Sequence, residues 1–228
     1  MGKHIISFAL WGNDPKYCHG AVYNAEYAKV YFPEWTCRFY VDSNSVPVEI
    51  LNKLNETSEI VEKGRGDWTG MFWRFAPASD PDVDIMLSRD CDSRLSRRER
   101  IAVDEWLESG KSVHIIRDHP QHGTLILGGL WGVRGDKLQD MQVLMNGWNQ
   151  LDMWQTDQDF LRDRIYPLVH DDIFVHDEFY SYEPVEKRNI IKCYRDNYSF
   201  LGEQFNAQNE PNMAHRAEVK RWYDSRGL

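Results

Sequence analysis

The sequence VDIMLSRDCDS, residues 83–93, gives the clearest indication of the fold. Its first part, residues 83–87, is an apolar run bounded by Asp and Ser, which is typical of a buried β-strand. Two carboxylates, Asp90 and Asp92, follow this run two residues apart. Because the carboxyl ends of the strands form the ligand crevice of an α/β sheet, we expect the acidic pair at that edge.

Strands and helices alternate before this stretch. The predicted strands are residues 3–10, 36–41 and 59–62. Asp14 can cap the first helix with Pro15 at its first position, and this helix is predicted to reach about Tyr31. A second helix follows Pro47. The order β-α-β-α-β calls for a parallel sheet with right-handed connections.

The later part of the chain continues the alternation. Ser96 and Glu99 form a capping box for a helix that ends at Gly110. An aromatic helix is predicted at residues 68–77. Further strands are predicted at residues 112–117, 124–133 and 172–175, and further helices at residues 137–148 and from Thr156 to a point before Pro167.

Length and composition suit a single α/β domain of residues 1–228, in which residues 183–228 form a C-terminal extension packed on the core. The formal net charge of -9 argues against a broad basic face, so nucleic acid is not an expected partner. No run approaches the roughly 18 apolar residues of a membrane span, and the N-terminus is too polar for a signal peptide. We therefore expect a cytoplasmic protein. The cysteines form no C-x-x-C pair, which favours free thiols.

The tripeptide Asp90-Cys91-Asp92 suits one hard divalent cation. Mg²⁺ and Mn²⁺ prefer oxygen ligands and complete their coordination with waters and substrate phosphates. The plain alternative is that these acids cap the next helix or solvate a turn. Their position at the end of an apolar strand favours the metal site.

The order of these motifs resembles small GT-A glycosyltransferases, including those encoded by large algal viruses and their bacterial and algal relatives. The matching stretches, between residues 5 and 202, are SFALWGNDPKY, CRFYVD, MFWRFAPASDPDVD, SRDCDSRLSRRE, VHIIRDHPQHGTLILGGLWG and TDQDFL. The resemblance implies a Rossmann-like α/β domain with a mostly parallel central sheet flanked by helices. It also implies Mn²⁺ or Mg²⁺, a nucleotide-sugar donor and a saccharide or other hydroxyl acceptor. A UDP-sugar is the default donor, with GDP- and dTDP-sugars open, and we expect a monomer or small homo-oligomer.

The resemblance also assigns residues to the donor. These residues are Leu10, Trp11, Gly12, Asp42, Arg74, Asp90, Cys91 and Asp92. Arg74 suits a diphosphate or ribose because a guanidinium donates two parallel hydrogen bonds, although its stem could equally pack on Trp73. Trp11 could equally belong to the core. Arg89 and Arg94 flank the acidic pair, and we interpret them as partners of its carboxylates, the alternative being contact with the leaving diphosphate.

Residues further along the chain are assigned to the sugar, the acceptor and catalysis. They are His119, Gly129, Trp131 and Gln158 for binding, and Asp118, Asp157 and Asp159 for catalysis. An inverting reaction needs a carboxylate to deprotonate the acceptor, and either Asp118 or Asp157 could do so. Trp131 could stack on a sugar, whereas the glycines around it could also mark a tight bend. Residues 157–159 resemble a D-Q-D motif beneath the sugar site, although acids suit any helix start.

GT-A enzymes often use a late histidine as a further metal ligand, and His176 is the expected one here, with His170 as the alternative. Two rival functions stay open. A metal-dependent phosphohydrolase would use the acidic pair together with a second metal at the histidine-rich residues 114–122. A nucleotide-sugar-binding module would keep the fold and lack turnover.

Overall fold

The computed structural model describes residues 2–149 and 155–227. The strands are β1 (Lys3–Leu10), β2 (Thr36–Val41), β3 (Glu59–Glu62), β4 (Val83–Ser88), β5 (Val113–Arg117), β6 (Trp131–Arg134), β7 (Ile173–Asp177) and β8 (Arg188–Asn189). The α-helices are α1 (Pro15–Tyr31), α2 (Val48–Asn55), α3 (Arg97–Ser109), α4 (Met141–Asn146), α5 (Thr156–Phe160), α6 (Tyr166–Val169) and α7 (Met213–Asp224). A 3₁₀ helix spans Trp68–Ser79, a π-helical turn spans Leu161–Ile165, and shorter 3₁₀ turns span Val185–Lys187 and Asp196–Tyr198.

The strands form one sheet in the order β3-β2-β1-β4-β6-β5-β7-β8. Strand β6 is antiparallel to both of its neighbours, β4 and β5. The other neighbouring pairs are parallel. The predicted fold class, an α/β domain with a mostly parallel sheet flanked by helices, is therefore confirmed. None of the helices in the described residues is long and apolar enough to cross a membrane.

Apolar side chains cover both faces of the sheet, as a mostly parallel sheet requires. Along β1, Ile6 and Phe8 lie in one core cluster with apolar residues of α1, α2 and α3. The adjacent Ile5, on the opposite face of the strand, lies in a second cluster with Phe72 and Phe75 of the 3₁₀ helix. This alternation places α1, α2 and α3 on one face, and the 3₁₀ helix with α4 to α6 on the other.

The predicted helix signals act as expected in the first half of the chain. The Asp14 side chain accepts a hydrogen bond from the backbone N–H of Lys16, and Pro15 begins α1. The Ser96 hydroxyl caps α3 by accepting from the N–H of Glu99 at 3.2 Å. Gly110 ends that helix with a φ of 72°, a conformation that favours glycine.

The predicted aromatic helix and the predicted glycine-rich strand both differ from the structure in detail. The aromatic helix predicted at residues 68–77 is a 3₁₀ helix, Trp68–Ser79, and its first residue, Trp68, is 55% exposed. The strand predicted at residues 124–133 is confined to Trp131–Arg134. The physical reason is that Gly128 packs against the side chains of Asp157 and Arg74, and Gly129 against Asp90, so this segment turns there instead of pairing.

The helical predictions after residue 137 are also partly wrong. The helix expected at residues 137–148 is confined to α4, Met141–Asn146. The helix that begins at Thr156 does not end before Pro167, because the π-helical turn and α6 extend it to Val169. Proline offers no N–H to a preceding carbonyl, and the wider π turn just before it changes the hydrogen-bond ladder where that donor is missing.

Buried histidines give the fold a pH dependence that can be tested. Nε2 of His114 lies 2.9 Å from Nδ1 of His176, whose Nε2 lies 2.8 Å from a Glu105 carboxylate oxygen. Burial above all, and then the neighbouring His176, lower the pKa of His114. Burial likewise lowers the pKa of His176, although Glu105 opposes this. Both rings therefore stay neutral in the folded protein at pH values where they become protonated in the unfolded chain.

We expect the free energy of unfolding to fall as the pH drops below about 6.5, by up to about 1.4 kcal/mol per pH unit for each such histidine. Above that pH both states are neutral and these histidines add no slope. Urea denaturation between pH 7.5 and 5 measures the effect. The variant His114→Gln should have a shallower slope, whereas His170→Gln, at a half-exposed side chain, should keep the wild-type slope. Equal slopes in all three proteins would contradict the explanation.

Candidate active site

The acidic pair lies in the turn that follows β4, at the carboxyl edge of the sheet. The Asp90 side chain is 43% exposed, whereas that of Asp92 is 9% exposed. Cys91 between them is buried, with its sulfur 3.4 Å from the carbonyl oxygen of Ala9, and burial raises the pKa of its thiol. Cys91 therefore anchors the turn in the core, and the two acids form its polar surface.

Each carboxylate of the pair already contacts one cation of the protein. Oδ1 of Asp90 lies 2.6 Å from Nη1 of Arg74, and Oδ2 of Asp92 lies 2.7 Å from Nζ of Lys16. Burial, and then the charge of Asp90, raise the pKa of Asp92 even though Lys16 opposes this. The negative charge at this turn is thus incompletely balanced by the protein.

Arg74 connects the pair to the predicted D-Q-D segment. Its Nη2 donates to Oδ2 of Asp157 at 2.6 Å, so that one buried guanidinium joins Asp90 to Asp157. Burial raises the pKa of Asp157, and the Arg74 charge opposes that shift. The three residues come from the 3₁₀ helix, the turn after β4 and the start of α5, which the sequence separates by up to 83 positions.

Two glycines make room for this group of charges. A Cβ atom built on Gly128 would overlap both the Asp157 carboxylate and the Arg74 guanidinium. One built on Gly129 would overlap the Asp90 carboxylate. The Ser88 hydroxyl fixes this segment by donating to the carbonyl of Gly128 at 2.6 Å. Gly129, predicted from sequence to approach a ligand, thus directly adjoins the acidic pair.

The residues assigned to the nucleotide lie at the carboxyl ends of β1 and β2. The Leu10 side chain is buried, and its carbonyl accepts from the N–H of Asp42 at 3.1 Å. Hydrogen bonds from the Gly66 amide and then the Ser45 hydroxyl hold the pKa of Asp42 below its usual range. Gly12 completes this group, since its N–H donates to the Ser45 hydroxyl at 2.8 Å.

Trp11 packs beside this group and is half-buried. Its ring lies against Gly66 and Gly70, where an added Cβ would contact it, and meets the ring of Trp73 edge-on at 5.9 Å. Trp11 is therefore wedged against the loop after β3 and the 3₁₀ helix, with part of its surface accessible to solvent.

The expected role of Asp118 as a base does not fit its surroundings. Its oxygens accept from Arg195 at 2.5 Å, from Arg98 at 3.0 and 3.1 Å, and from the N–H of Leu201 at 2.9 Å. Burial tends to raise its pKa, but Arg195 and Arg98 outweigh that and lower it. A carboxylate so fully hydrogen-bonded is a weak base, and its bonds instead hold the C-terminal residues to the end of β5.

Two residues expected at the sugar also belong to the interior. Trp131 has no exposed surface and packs edge-on against Phe75 at 5.5 Å, so it cannot stack on a sugar in this structure. His119 is buried against Phe200, and its Nε2 lies 3.0 Å from the carbonyl oxygen of His215. Both side chains complete the packing of loops on the sheet.

The other acidic and amide residues of the D-Q-D segment do not join the site. Oδ1 of Asp159 pairs with Nη1 of Arg162 at 2.5 Å, on the outer side of the helix. Gln158 is half-buried, and its backbone N–H donates to the carbonyl of Gln155 at 2.9 Å. Of this tripeptide, the structure brings Asp157 to the acidic pair.

The histidines expected as metal ligands are engaged elsewhere. Both ring nitrogens of His176 contact protein groups, as described above. His170 is half-exposed, with Nδ1 3.1 Å from the carbonyl oxygen of Pro167. Within residues 2–149 and 155–227, no three His, Cys, Asp or Glu side chains converge as a set of metal ligands. A cation here would depend on Asp90 and Asp92 together with its substrate.

The interpretation of the flanking arginines is wrong. Arg89 pairs with Glu99, which also removes that glutamate from the capping box. Arg94 donates to the carbonyl oxygens of Cys91 and Ser93 at 3.1 and 2.8 Å. The counterion that sequence reasoning missed is Lys16. Its position just after the Pro15 start of α1, which directly follows β1, was the available signal.

Comparisons with known proteins agree with this architecture. No family model and no curated protein sequence matches the chain. A solved glycosyltransferase involved in glycosylation of the major capsid of PBCV-1 is 14% identical, with a TM-score of 0.50, over 77% of this chain and 81% of that one. The chain has the GT-A glycosyltransferase fold.

Two bacterial structures share this GT-A fold. S. aureus TarS, residues 1–349, has a TM-score of 0.52 at 12% identity, covering 76% of this chain and 57% of that one. The glycosyltransferase GlyE of Streptococcus pneumoniae TIGR4 has a TM-score of 0.50 at 13% identity, covering 78% and 46%. This chain therefore spans about half the length of the two bacterial chains. At such identities the likeness concerns the fold alone.

The Arg74 bridge makes a stability prediction. The variant Arg74→Met should lower the free energy of unfolding by about 3 kcal/mol, because it leaves the Asp157 carboxylate buried and unpaired. Adding Asp157→Asn should recover at least half of that loss, since the unpaired charge is then gone. Chemical denaturation at pH 7.5 measures both variants. The control Arg162→Met, at an exposed ion pair, should change stability by less than about 1 kcal/mol. If the losses of unfolding free energy from Arg74→Met and Asp157→Asn simply add in the double variant, Arg74 does not stabilise the protein by pairing with Asp157.

Proposed function

We propose that this protein is a metal-dependent glycosyltransferase that transfers a sugar from a nucleotide-diphosphate sugar to a saccharide or other hydroxyl acceptor. A UDP-sugar is the favoured donor. The observation that carries the proposal is the group formed by Asp90, Arg74 and Asp157 against Gly128 and Gly129. It lies at the carboxyl edge of the sheet, where α/β folds bind ligands, and the fold occurs in glycosyltransferases.

The charges of this group suit a divalent cation. Asp90, Asp92 and Asp157 contribute three carboxylates, and the cations bonded to them in the described residues are Arg74 and Lys16. A diphosphate would add further negative charge. Asp90 and Asp92 would hold Mn²⁺ or Mg²⁺, whose preference for oxygen ligands matches them. When bound, the ion would neutralise charge that develops on the leaving diphosphate.

Arg74 and Asp157 would position the site and accept the acceptor's proton, respectively. Arg74, held by two carboxylates, orients Asp90 and fixes the distance between the acidic pair and Asp157. Asp157 is the candidate base for an inverting reaction, because burial raises its pKa and a more basic carboxylate accepts a hydroxyl proton more readily. Asp118, the alternative base, is committed to two arginines and is not part of this proposal. A monomer or small homo-oligomer in the cytoplasm stays a prediction.

The structure gives less support to the rival functions. A two-metal phosphohydrolase needs a second cluster of ligands, and none converges in the part of the chain that the structure describes. The histidines proposed for it are packed in the sheet or against Phe200. A binding module without turnover would share the whole site, so activity measurements must separate it from a transferase.

Donor turnover tests the proposed activity. Incubation with a panel of UDP-, GDP- and dTDP-sugars and Mn²⁺ should yield slow donor hydrolysis that EDTA abolishes, measured as released nucleotide diphosphate. Asp92→Asn should lower this rate at least about a hundredfold. Asp171→Asn, at a side chain 87% exposed, should leave it unchanged. Hydrolysis of p-nitrophenyl phosphate would instead favour the phosphohydrolase, and metal-dependent binding without turnover of donor or acceptor would favour the binding module.

The space at Gly129 allows a test of Asp90 as a metal ligand. Gly129→Ala should displace the Asp90 carboxylate, which is half-exposed and able to rotate, and so weaken Mn²⁺-dependent UDP binding about tenfold or more. Its melting temperature should stay close to wild type because no backbone atom is overlapped. Isothermal titration calorimetry and thermal unfolding measure the two effects. Gly64→Ala, where an added Cβ meets nothing within 4 Å, is the matched control. Unchanged binding in Gly129→Ala would show that Asp90 is not a ligand.

A further inference from the structure

Lys16 contacts Asp92, one of the two carboxylates that the proposed function assigns to the metal ion. Its ammonium lies 2.7 Å from Oδ2 of Asp92, and its side chain is 28% exposed. It lies in the first turn of α1, directly after Pro15. The acid pair therefore has a lysine of the protein beside it, and this lysine bonds the less exposed of the two carboxylates.

The position of Lys16 follows from a row of contacts along α1. Lys16, Gly20 and Asn24 are four residues apart and share one face of the helix. A Cβ on Gly20 would overlap the carbonyl of Cys91, so the helix backbone touches the turn there. The Asn24 amide donates to the carbonyl of Ser93 at 2.8 Å. This packing fixes the helix backbone against the turn and leaves the Lys16 side chain beside Asp92.

The two cations of the site differ in how easily they can leave. Arg74 is buried and bonds two carboxylates with separate nitrogens, so removing it would leave Asp157 unpaired. Lys16 has a bond to one carboxylate, a partly exposed flexible stem and a compact, strongly hydrated ammonium. The solvent-facing Lys16 can therefore move away from the site at lower cost than Arg74.

We infer that Lys16 is a resident counterion of Asp92 that a divalent cation displaces, so that the lysine and the metal compete for the same carboxylate. This inference rests on the metal site of the proposed function and assigns Lys16 a positioning role. Before the metal arrives, Lys16 holds the Asp92 carboxylate in place. The cost of this arrangement is a lower affinity for the free metal ion.

Competition predicts that removing the lysine strengthens metal binding, an effect that structural damage would not produce. Mn²⁺ is titrated without nucleotide, and the free ion is followed by electron paramagnetic resonance. Lys16→Gln should bind Mn²⁺ at least about fivefold more tightly than wild type, because a positive charge beside the ion is gone. Lys16→Arg should bind no more tightly than wild type. Lys29→Gln, at an exposed ion pair elsewhere on α1, should match wild type. Lys16→Ala is a second neutral variant should the glutamine variant fold poorly.

The outcomes separate this inference from the proposed function. Unchanged or weaker Mn²⁺ binding in both neutral Lys16 variants, with binding still abolished by Asp92→Asn, would show that Lys16 does not compete with the metal. The proposed metal site would then still stand. Mn²⁺ binding that Asp92→Asn does not alter, in wild type and in Lys16→Gln, would remove the metal site itself and the inference with it. Tighter binding in Lys16→Gln that is lost again in the Lys16→Gln/Asp92→Asn double variant is the expected result.

Discussion

The electrostatic balance at the end of β4 (Val83–Ser88) is the constraint on which the rest of the site depends. Of the three carboxylates there, Asp92 and Asp157 are buried, and burying a carboxylate costs free energy unless a cation of the protein lies within bonding distance. Arg74 meets this need by bonding Asp90 and Asp157 at once. Gly128 leaves room for its guanidinium, and Gly129 leaves room for the Asp90 carboxylate. The two glycines, the 3₁₀ helix and the start of α5 (Thr156–Phe160) therefore all contribute to balancing these charges.

Local signals were sufficient to predict strands β1 to β4 and helices α1 to α3. Asp14, Ser96 and Gly110 act through bonds and backbone angles within a few residues of themselves, so the sequence contains everything needed to read them. The errors begin where distant contacts decide the conformation. Residues 124–130 look extended but turn to meet Asp90 and Arg74, and the helix around Pro167 is maintained by a π turn that no composition rule indicates. Neither outcome could be foreseen without knowing the neighbouring elements.

Part of the candidate site could also be predicted from the sequence. Asp90, Asp92, Arg74, Asp157 and Gly129 were named from sequence, and the structure brings these residues together. Residues that depend on strand register were not predictable, because a position facing the core differs by a single residue from one facing solvent. His176 points from β7 (Ile173–Asp177) toward Glu105 for this reason. Lys16 was missed because its contact with Asp92 depends on how closely Gly20 lets α1 (Pro15–Tyr31) approach the turn.

The degree to which hydrogen-bonding capacity is already used distinguishes Asp118 from Asp90. Asp118 and Asp90 are both aspartates just beyond the carboxyl end of a strand, and both contact arginine. Asp118 accepts from two arginines and a backbone amide through both oxygens, and its lowered pKa reflects that saturation. Asp90 has one oxygen bonded to Arg74, and its side chain is nearly half exposed. A carboxylate with unused acceptor capacity at a sheet edge can bind a further cation, whereas a saturated one can only hold the fold together.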